Sequence, residues 1–240
     1  KVFATPSIDI NFTLQLSQPI PDEEKILIEI LDEVTGLTHP TSTHVLEEIN
    51  KLEYTLQVAF PVGSVVKYRY VKLGQSKTPE TQPNGEPVRY RLCHVSNAIE
   101  VVDHLQGWLG EIASNQQGAL TGKVQDRDTH EPIPDILVSA AGQLTFTDAN
   151  GQFILNKLPP GVHNLVAYAM DGRYQTFQQG AQISAGLTTP ANINLQVSQV
   201  VQVTFTVLTP GEAQGAPTYL AGNLAQLGNT FTDLTGSMSL

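Results

Sequence analysis

The stretch that decides the fold is residues 120–168, and at its centre lies the sequence TDANGQF at residues 147–153. Around this centre the chain alternates between apolar and polar residues in short runs, LTGKV at 120–124, ILVSA at 136–140 and HNLVAYA at 163–169. Turn-favouring residues separate the runs, and Gly151 is the clearest of them because glycine adopts a positive φ at little cost. Short strands with turns at intervals of about eight to twelve residues predict an antiparallel β-sandwich.

The same region resembles a known family. GKV at 122–124, PIPDILV at 132–138, TDANGQF at 147–153 and LPPGVHNL at 158–165 are similar to motifs of the carboxypeptidase regulatory-like family, over residues 118–198. The resemblance implies a transthyretin-like β-sandwich that is not catalytic and that lies between other domains of secreted or surface proteins. It implies no ligand.

The residues before this region predict a second kind of sandwich. Apolar alternation indicates strands at residues 8–16, 25–31, 54–60, 65–73, 88–95 and 99–102. The intervening segments predict a turn-rich stretch at 35–43, a polar loop at 74–87 and a helical turn or linker at 103–113. We therefore expect an all-β protein of tandem sandwiches: an immunoglobulin-like sandwich at residues 1–113, a boundary at 114–118, and the transthyretin-like sandwich at 118–198.

The sequence pattern of the N-terminal strands recurs after residue 200. NFTL at 11–14 matches TFTV at 204–207, and ILI at 26–28 stands opposite YLA at 219–221, at the same offset of 193 residues. A constant offset across two strands and the loop between them indicates an internal repeat. Residues 200–240, here called the repeat segment, are therefore predicted to be the first strands of a second immunoglobulin-like module, truncated after its opening strands.

The repeat segment carries a second resemblance. PTYLAGNLAQLGN at 217–229 resembles the start of starch-binding carbohydrate-binding modules, and VVKYRYV at 65–71 is similar to their KYK strand. Residues 27–30 read LIEI where that family reads Leu-Ala-Gly-Asn, and the chain has a single tryptophan where the family has a pair. The resemblance implies glucan binding on exposed aromatic rings. The candidate stacking residues are Tyr68, Tyr70, Trp108 and Tyr219, and Trp108 has the alternative role of packing between the two sandwiches.

Composition excludes several classes of function. The chain has 240 residues and a formal net charge of −10, which argues against a nucleic-acid or anionic-membrane partner. Cys93 is the single cysteine, so an internal disulfide is impossible. No apolar run reaches the length of a membrane span. The chain begins at Lys1 without a signal peptide, so a secreted or cell-surface location rests on the resemblance, and we expect a processed form or an excised part of a longer protein.

Residues able to carry catalysis are scarce. Neighbouring side chains on a strand point to opposite faces, so Cys93 and His94 cannot act as a nucleophile and base side by side. The histidines lack metal-ligand spacing, and no hydrolase nucleophile motif is present. We therefore expect no enzyme, no catalytic residues and no cofactor.

Calcium is an open alternative at the predicted turns. The acidic and amide side chains there are of the types that calcium loops use, although ordinary turns use them too. They are Asp126, Asp128, Asp148, Asn150 and Asp171. The functional hypothesis is a non-catalytic accessory, spacer or adhesion part of a larger bacterial secreted or surface protein. The alternative is a carbohydrate-binding module of a glycan-degrading enzyme. The partner is correspondingly another surface protein or a polysaccharide.

Overall fold

The architecture is all-β. The computed structural model describes residues 6–32, 38–96, 99–105, 107–110, 117–199, 204–208, 218–220, 235 and 238–239. Within these ranges every helix or strand is a β strand, and the strands build tandem sandwiches. The predicted fold class is confirmed. In the part of the chain described, no helix is long and apolar enough to cross a membrane.

The first sandwich consists of two sheets that pack face to face. Its strands β1 to β9 run, in chain order, over Ser7–Gln15, Lys25–Leu31, Thr38–Val45, Glu47–Asn50, Glu53–Pro61, Val65–Leu73, Lys77–Pro79, Arg91–His94 and Glu100–His104. One sheet has the order β4-β5-β1-β9, in which β9 runs parallel to β1. The other has the order β3-β2-β6-β7, and β8 also pairs with β6.

Alternation explains the core of the first sandwich. Ile10, Phe12 and Leu14 lie on one face of β1 and are fully buried. From the opposite sheet, the ring of Tyr68 meets that of Phe12 edge-on, with 4.9 Å between the centroids. Edge-to-face packing is a favoured arrangement of aromatic rings, so the two sheets interlock here.

Three predicted non-strand segments of the first sandwich are partly strand. β3, with the sequence THPTSTHV, occupies most of the predicted turn at 35–43, and β7 lies inside the predicted polar loop at 74–87. Both pair through their backbones with strands that carry the core residues, so they need no apolar alternation of their own. β9 extends into the predicted linker at 103–113, and residues 107–110 form a bridge and a turn rather than a helix. Most of the predicted boundary at 114–118 lies outside the described residues.

The second sandwich contains the stretch that decided the fold. Its strands β10 to β17 run over Gly118–Asp126, Leu137–Ala140, Gln143–Phe146, Gln152–Leu158, Gly161–Tyr168, Phe177–Ile183, Thr188–Pro190 and Ile193–Leu195. One sheet has β10 between β13 on one side and the parallel strands β16 and β17 on the other. The other sheet has the order β12-β11-β14-β15. The predicted turn is confirmed: Gly151 has a φ of 71° and donates its amide to the carbonyl of Asp148 at 2.8 Å.

The described part of the repeat segment is small. β18 (Tyr219–Leu220) pairs antiparallel with β19 (Met238–Ser239). Residues 204–208 form no strand and are exposed along their whole length. Val201 and Val203, which continue the same alternation, lie outside the described residues.

Candidate functional site

Two of the predicted sugar-stacking residues lie in the core. Tyr68 and Tyr70 are fully buried on the inward face of β6, with their ring centroids 5.9 Å apart. Both hydroxyls donate to Oδ2 of Asp103, at 2.8 Å from Tyr68 and 3.0 Å from Tyr70. Neither ring offers a face to a sugar, so the stacking prediction is wrong for both. The aromatic stripe is a core stripe because the second sheet covers it.

Trp108 is also buried and lies in the core of the first sandwich. Its side chain is 3% exposed and is a member of the core that contains Phe12. It forms a backbone bridge with Glu80, and Nζ of Lys72 lies 5.8 Å from the centroid of its ring. The stacking role predicted for Trp108 is therefore wrong, while its packing between the sandwiches stays a prediction. Tyr219 is 52% exposed, and its stacking role stays a prediction.

A buried charge network, which the sequence analysis missed, surrounds the two tyrosines. Nη2 of Arg91 lies 2.7 Å from Oε2 of Glu80, and Nη1 lies 2.9 Å from Oδ1 of Asp103. All three side chains are almost completely buried. Glu80 also accepts the backbone amide of Tyr70 at 2.9 Å. The guanidinium of Arg91 therefore pairs with both carboxylates. Asp103 also accepts hydrogen bonds from the two tyrosine hydroxyls, and Glu80 accepts one from a backbone amide.

The electrostatics hold this network in one protonation state. Burial raises the pKa of Tyr68 and of Tyr70 well above the usual value, and the charge of Asp103 adds to the effect. Burial by itself would lower the pKa of Arg91, but the charges of Asp103 and Glu80 outweigh it and raise that pKa. The phenols stay neutral donors and the guanidinium stays charged at neutral pH. One feature of the sequence could have indicated this network: Asp103 lies two residues after the apolar Val101 on β9, so this charged residue shares the buried face of the strand.

Cys93 cannot act as a nucleophile. It is fully buried on β8, and burial together with the charge of Asp103 raises the pKa of its thiol to about 12. The reactive form of cysteine is the thiolate, so the side chain is an inert part of the core at neutral pH.

The acidic turn residues of the second sandwich bind the backbone. Oδ1 of Asp126 accepts from the amides of Asp128 and Thr129, at 2.8 and 2.9 Å. These hydrogen bonds hold the pKa of Asp126 below its usual value. Oδ1 of Asp148 accepts in the same way from the amide of Asn150 at 2.8 Å. Among the described residues, no group of three or more His, Cys, Asp or Glu side chains could hold a metal ion. Calcium binding at these turns stays a prediction.

The two sandwiches meet in an apolar contact. Leu92 of the first sandwich packs with Leu137 and Val166 of the second, and all three are buried. Partly buried apolar residues surround this centre on both sides: Val65, Tyr90, Leu144 and Tyr168. We call this group the contact cluster. Burial of such side chains is what stabilises one sandwich on the other.

Beside the contact cluster, side-chain amides of the second sandwich form hydrogen bonds with the open edge of β8. Oε1 of Gln178 accepts from the backbone amide of His94 at 2.7 Å, and Nε2 of Gln178 donates to the backbone carbonyl of His94 at 3.3 Å. Nδ2 of Asn164 donates to the carbonyl of Leu92 at 3.0 Å. β8 pairs with β6 along its other edge, so these amides satisfy backbone groups that a neighbouring strand would otherwise bind.

Two histidines, one from each sandwich, also meet at the contact. The rings of His104 and His163 pack edge-on with 5.2 Å between their centroids, and Nε2 of His163 lies 2.7 Å from the carbonyl of Pro159. Burial lowers the pKa of His163 to about 4 and also lowers the pKa of His104. Gly161 permits the approach, because a Cβ at this position would lie 2.5 Å from Nε2 of His104.

Known structures bear only a distant likeness to this chain. The glucoamylase of glycoside hydrolase family 15 from Hypocrea jecorina is 21% identical, with a TM-score of 0.35, over 43% of this chain and 18% of that one. The Bacillus anthracis TIE protein is 13% identical, with a TM-score of 0.29, over 79% and 34%. The minor pilin GBS52 of Streptococcus agalactiae is 12% identical, with a TM-score of 0.32, over 82% and 99%. At these identities and TM-scores, the similarity does not establish a function for this chain.

The present chain thus spans less than a fifth of the glucoamylase and about a third of the TIE protein. No curated protein matches the sequence. A family model does match, and it covers the strands β10 to β17 of the second sandwich. Residues 119–196 of this chain match the model of the carboxypeptidase regulatory-like domain, which spans about a third of the chain.

Proposed function

We propose that the chain is a non-catalytic spacer or adhesion part of a larger bacterial protein, secreted or held at the cell surface, and that its two sandwiches act as one rigid unit. The observation that supports this most is the contact between the sandwiches, which combines the contact cluster with the amide bonds of Gln178 to His94. The partner class is another surface protein or a polysaccharide.

The contact supports rigidity for a physical reason. Neighbouring domains move relative to each other by default, unless their interface is well packed and apolar. Here the apolar side chains resist separation, while Asn164 and Gln178 bond to backbone atoms whose positions β8 fixes. Separating the sandwiches would expose the cluster and leave the edge of β8 to water. A spacer needs this property, because it must hold the modules on either side at a defined orientation.

The polar groups of the core support the absence of catalysis. Asp103, Glu80 and Arg91 bond to one another and to the tyrosines deep inside the first sandwich, away from any external substrate. The thiol of Cys93 stays protonated at neutral pH. None of these groups is placed as an accessible acid, base or nucleophile.

The test is a distance measurement across the contact. Cysteines at the exposed positions Gln57 and Gln152 would carry spin labels, while the buried native Cys93 does not react. A rigid unit gives one narrow distance distribution by pulsed electron paramagnetic resonance. Leu92→Ala, which removes the centre of the contact cluster, should broaden it. A distribution that is already broad in the parent protein would contradict the proposal.

Glucan binding is the second candidate, and the exposure of Tyr219 is the observation that favours it. An exposed ring can stack on the apolar face of a sugar, and a few such rings give weak binding, with Kd values of roughly millimolar to micromolar. Electrophoresis in gels that contain starch or glycogen tests this. Retardation that Tyr219→Ala abolishes would support the candidate, and migration unchanged by every polysaccharide would exclude it.

A further inference from the structure

Two turns of the chain share one sequence and one backbone arrangement. The dipeptide Asn-Gly occurs at residues 84–85 and again at residues 150–151. Both glycines have a positive φ, of 85° at Gly85 and 71° at Gly151. Gly85 donates its amide to the carbonyl of Gln82 at 2.9 Å, and Gly151 donates to that of Asp148 at 2.8 Å. Only the surroundings of the two turns distinguish them.

An asparagine that precedes a glycine can lose ammonia to its own backbone. The amide nitrogen of the glycine attacks Cγ of the asparagine, the new C–N bond closes a five-membered imide, and the bond from Cγ to Nδ2 breaks. The nitrogen leaves as ammonia with the proton of the glycine amide, which water relays. Water then opens the imide at either carbonyl and yields aspartate or isoaspartate. Glycine favours the attack because it has no Cβ in the way and its backbone turns freely.

At Asn84 the reacting carboxamide is held by a backbone donor. Oδ1 of Asn84 accepts from the amide of Glu86 at 3.0 Å. This bond closes a ring that contains the peptide nitrogen of Gly85, so the carboxamide is folded back toward the atom that attacks it. The amide of Glu86 also points at the oxygen on which negative charge develops during the attack, and a donor in that position stabilises the transition state.

At Asn150 the corresponding donor already has another acceptor. The amide of Gln152 donates to Oδ1 of Asp148 at 2.8 Å, and the amide of Asn150 donates to the same oxygen at 2.8 Å. The side chain of Asp148 therefore takes the hydrogen bond that Glu86 gives to the side chain of Asn84. The carboxamide of Asn150 lacks the arrangement that favours ring closure at the first turn.

The two glycines also differ in how easily their peptides can move. Ring closure requires the glycine amide to leave its carbonyl acceptor, and such local opening is cheapest where the backbone is exposed and has few contacts. Gly85 is exposed, and nothing lies within 4 Å of the position of an added Cβ. Gly151 is buried, its carbonyl accepts from the amide of Val124 at 2.8 Å, and the added Cβ would lie 2.4 Å from the carbonyl oxygen of Val124.

We propose that Asn84 is a site of spontaneous deamidation in the folded protein, and that the fold protects Asn150 from the same reaction. Each event consumes one water, releases one ammonia and replaces a neutral amide with a carboxylate. It therefore adds one negative charge to the exposed turn in the loop between β7 and β8. Where the product is isoaspartate, the backbone of the turn is also one methylene longer. The proposal does not depend on the spacer function.

The experiment compares the two sites in one sample. The full 240-residue chain is incubated in mildly alkaline buffer, digested at intervals, and the aspartate and isoaspartate products at residues 84 and 150 are measured by mass spectrometry. We expect Asn84 to react at least tenfold faster than Asn150. The same incubation in concentrated guanidinium chloride is the control. There the two rates should approach each other, because both sites are Asn-Gly and the surroundings that distinguish them are lost.

Asn84→Gln and Asn150→Gln are the matched variants, since glutamine would have to close a less favourable six-membered ring. Isoelectric focusing of the parent chain should show a form with one additional negative charge. Asn84→Gln should slow its appearance at least tenfold, and Asn150→Gln should leave it unchanged. Equal rates at the two sites in the folded chain, or no product at Asn84, would overturn the proposal. A rate difference that persists in denaturant would assign the selectivity to the flanking residues and overturn the role of the fold.

Discussion

The side chain of Gln178 binds both backbone groups of His94, accepting from its amide at 2.7 Å and donating to its carbonyl at 3.3 Å. The two residues are far apart in the sequence and belong to different sandwiches. A primary amide carries one acceptor and one donor group, as a peptide unit does, so Gln178 replaces one step of a neighbouring strand at the edge of β8. The contact between the sandwiches is thus an extension of a sheet as well as an apolar surface.

Gln178→Ala should weaken this contact. The change leaves the amide of His94 without its partner in a half-buried position, at an expected cost of about 1–3 kcal/mol, while the carbonyl of His94 keeps the amide of Ser96 as a donor. Thermal unfolding should show the two sandwiches melting less cooperatively. Gln179→Ala is the control, because Gln179 is exposed on the same strand. Equal effects of the two variants would mean that the hydrogen bonds to His94 do not stabilise the contact.

Arg91→Met should strongly destabilise the first sandwich. Removal of the guanidinium leaves Glu80 and Asp103 buried without their cation, and breaking a buried pair in this way costs about 3–5 kcal/mol. Denaturant unfolding measures the change. Arg89→Met provides the comparison at an exposed arginine two residues away, where a loss of less than about 0.5 kcal/mol is expected. A small loss for Arg91→Met would show that water or relaxation replaces the cation.

His163 should make the stability of the protein depend on pH. Burial lowers the pKa of this histidine to about 4 in the folded state, below the ordinary value of about 6.5 that an unfolded chain retains. The neutral form is therefore favoured on folding. The corresponding stability is fully present above about pH 6.5 and is lost as the pH falls toward 4. The loss is on the order of 3 kcal/mol, since each pKa unit corresponds to about 1.4 kcal/mol.

The measurement for His163 is unfolding free energy as a function of pH. His163→Asn should flatten the curve between about pH 6.5 and 4 relative to the parent protein. The variant lacks the imidazole that binds a proton in the unfolded state but not in the folded state over this range. His130→Asn is the matched control at an exposed histidine, where asparagine tolerates the φ of 60°. Parallel curves for the parent and His163→Asn would show that the ring is not held neutral by burial.

Gly151→Ala should cost more than Gly172→Ala. Both glycines have a φ of 71°, so an added side chain strains the backbone equally, by roughly 1 kcal/mol. At Gly151 the Cβ would also lie 2.4 Å from the carbonyl oxygen of Val124, whereas nothing lies within 4 Å of the position at Gly172. Denaturant midpoints of the two variants measure the difference. Equal midpoints would mean that the backbone of β10 at Val124 moves away from the added Cβ without a loss of stability.

Local patterns in the sequence predicted the elements whose residues face the core. Alternation placed β2 at Lys25–Leu31 and β6 at Val65–Leu73, and the turn at Gly151 followed from the conformational freedom of glycine. The carboxypeptidase regulatory-like motifs predicted a domain at residues 118–198, and the family model matches residues 119–196. These features depend on residues within one strand or one turn, so the sequence contains their whole cause.

The sequence did not predict which partners the core residues find. An aromatic stripe such as Tyr68 and Tyr70 suits either an exposed sugar platform or a covered core, and only the opposite sheet makes it a core. The pairing of Tyr68 with Asp103 joins different strands, and that of His104 with His163 joins the two sandwiches. β3 and β7 likewise owe their extended form to the backbones of β2 and β6. Tertiary structure decided these features, because burial and pairing are properties of two segments at once, whereas periodicity is a property of one.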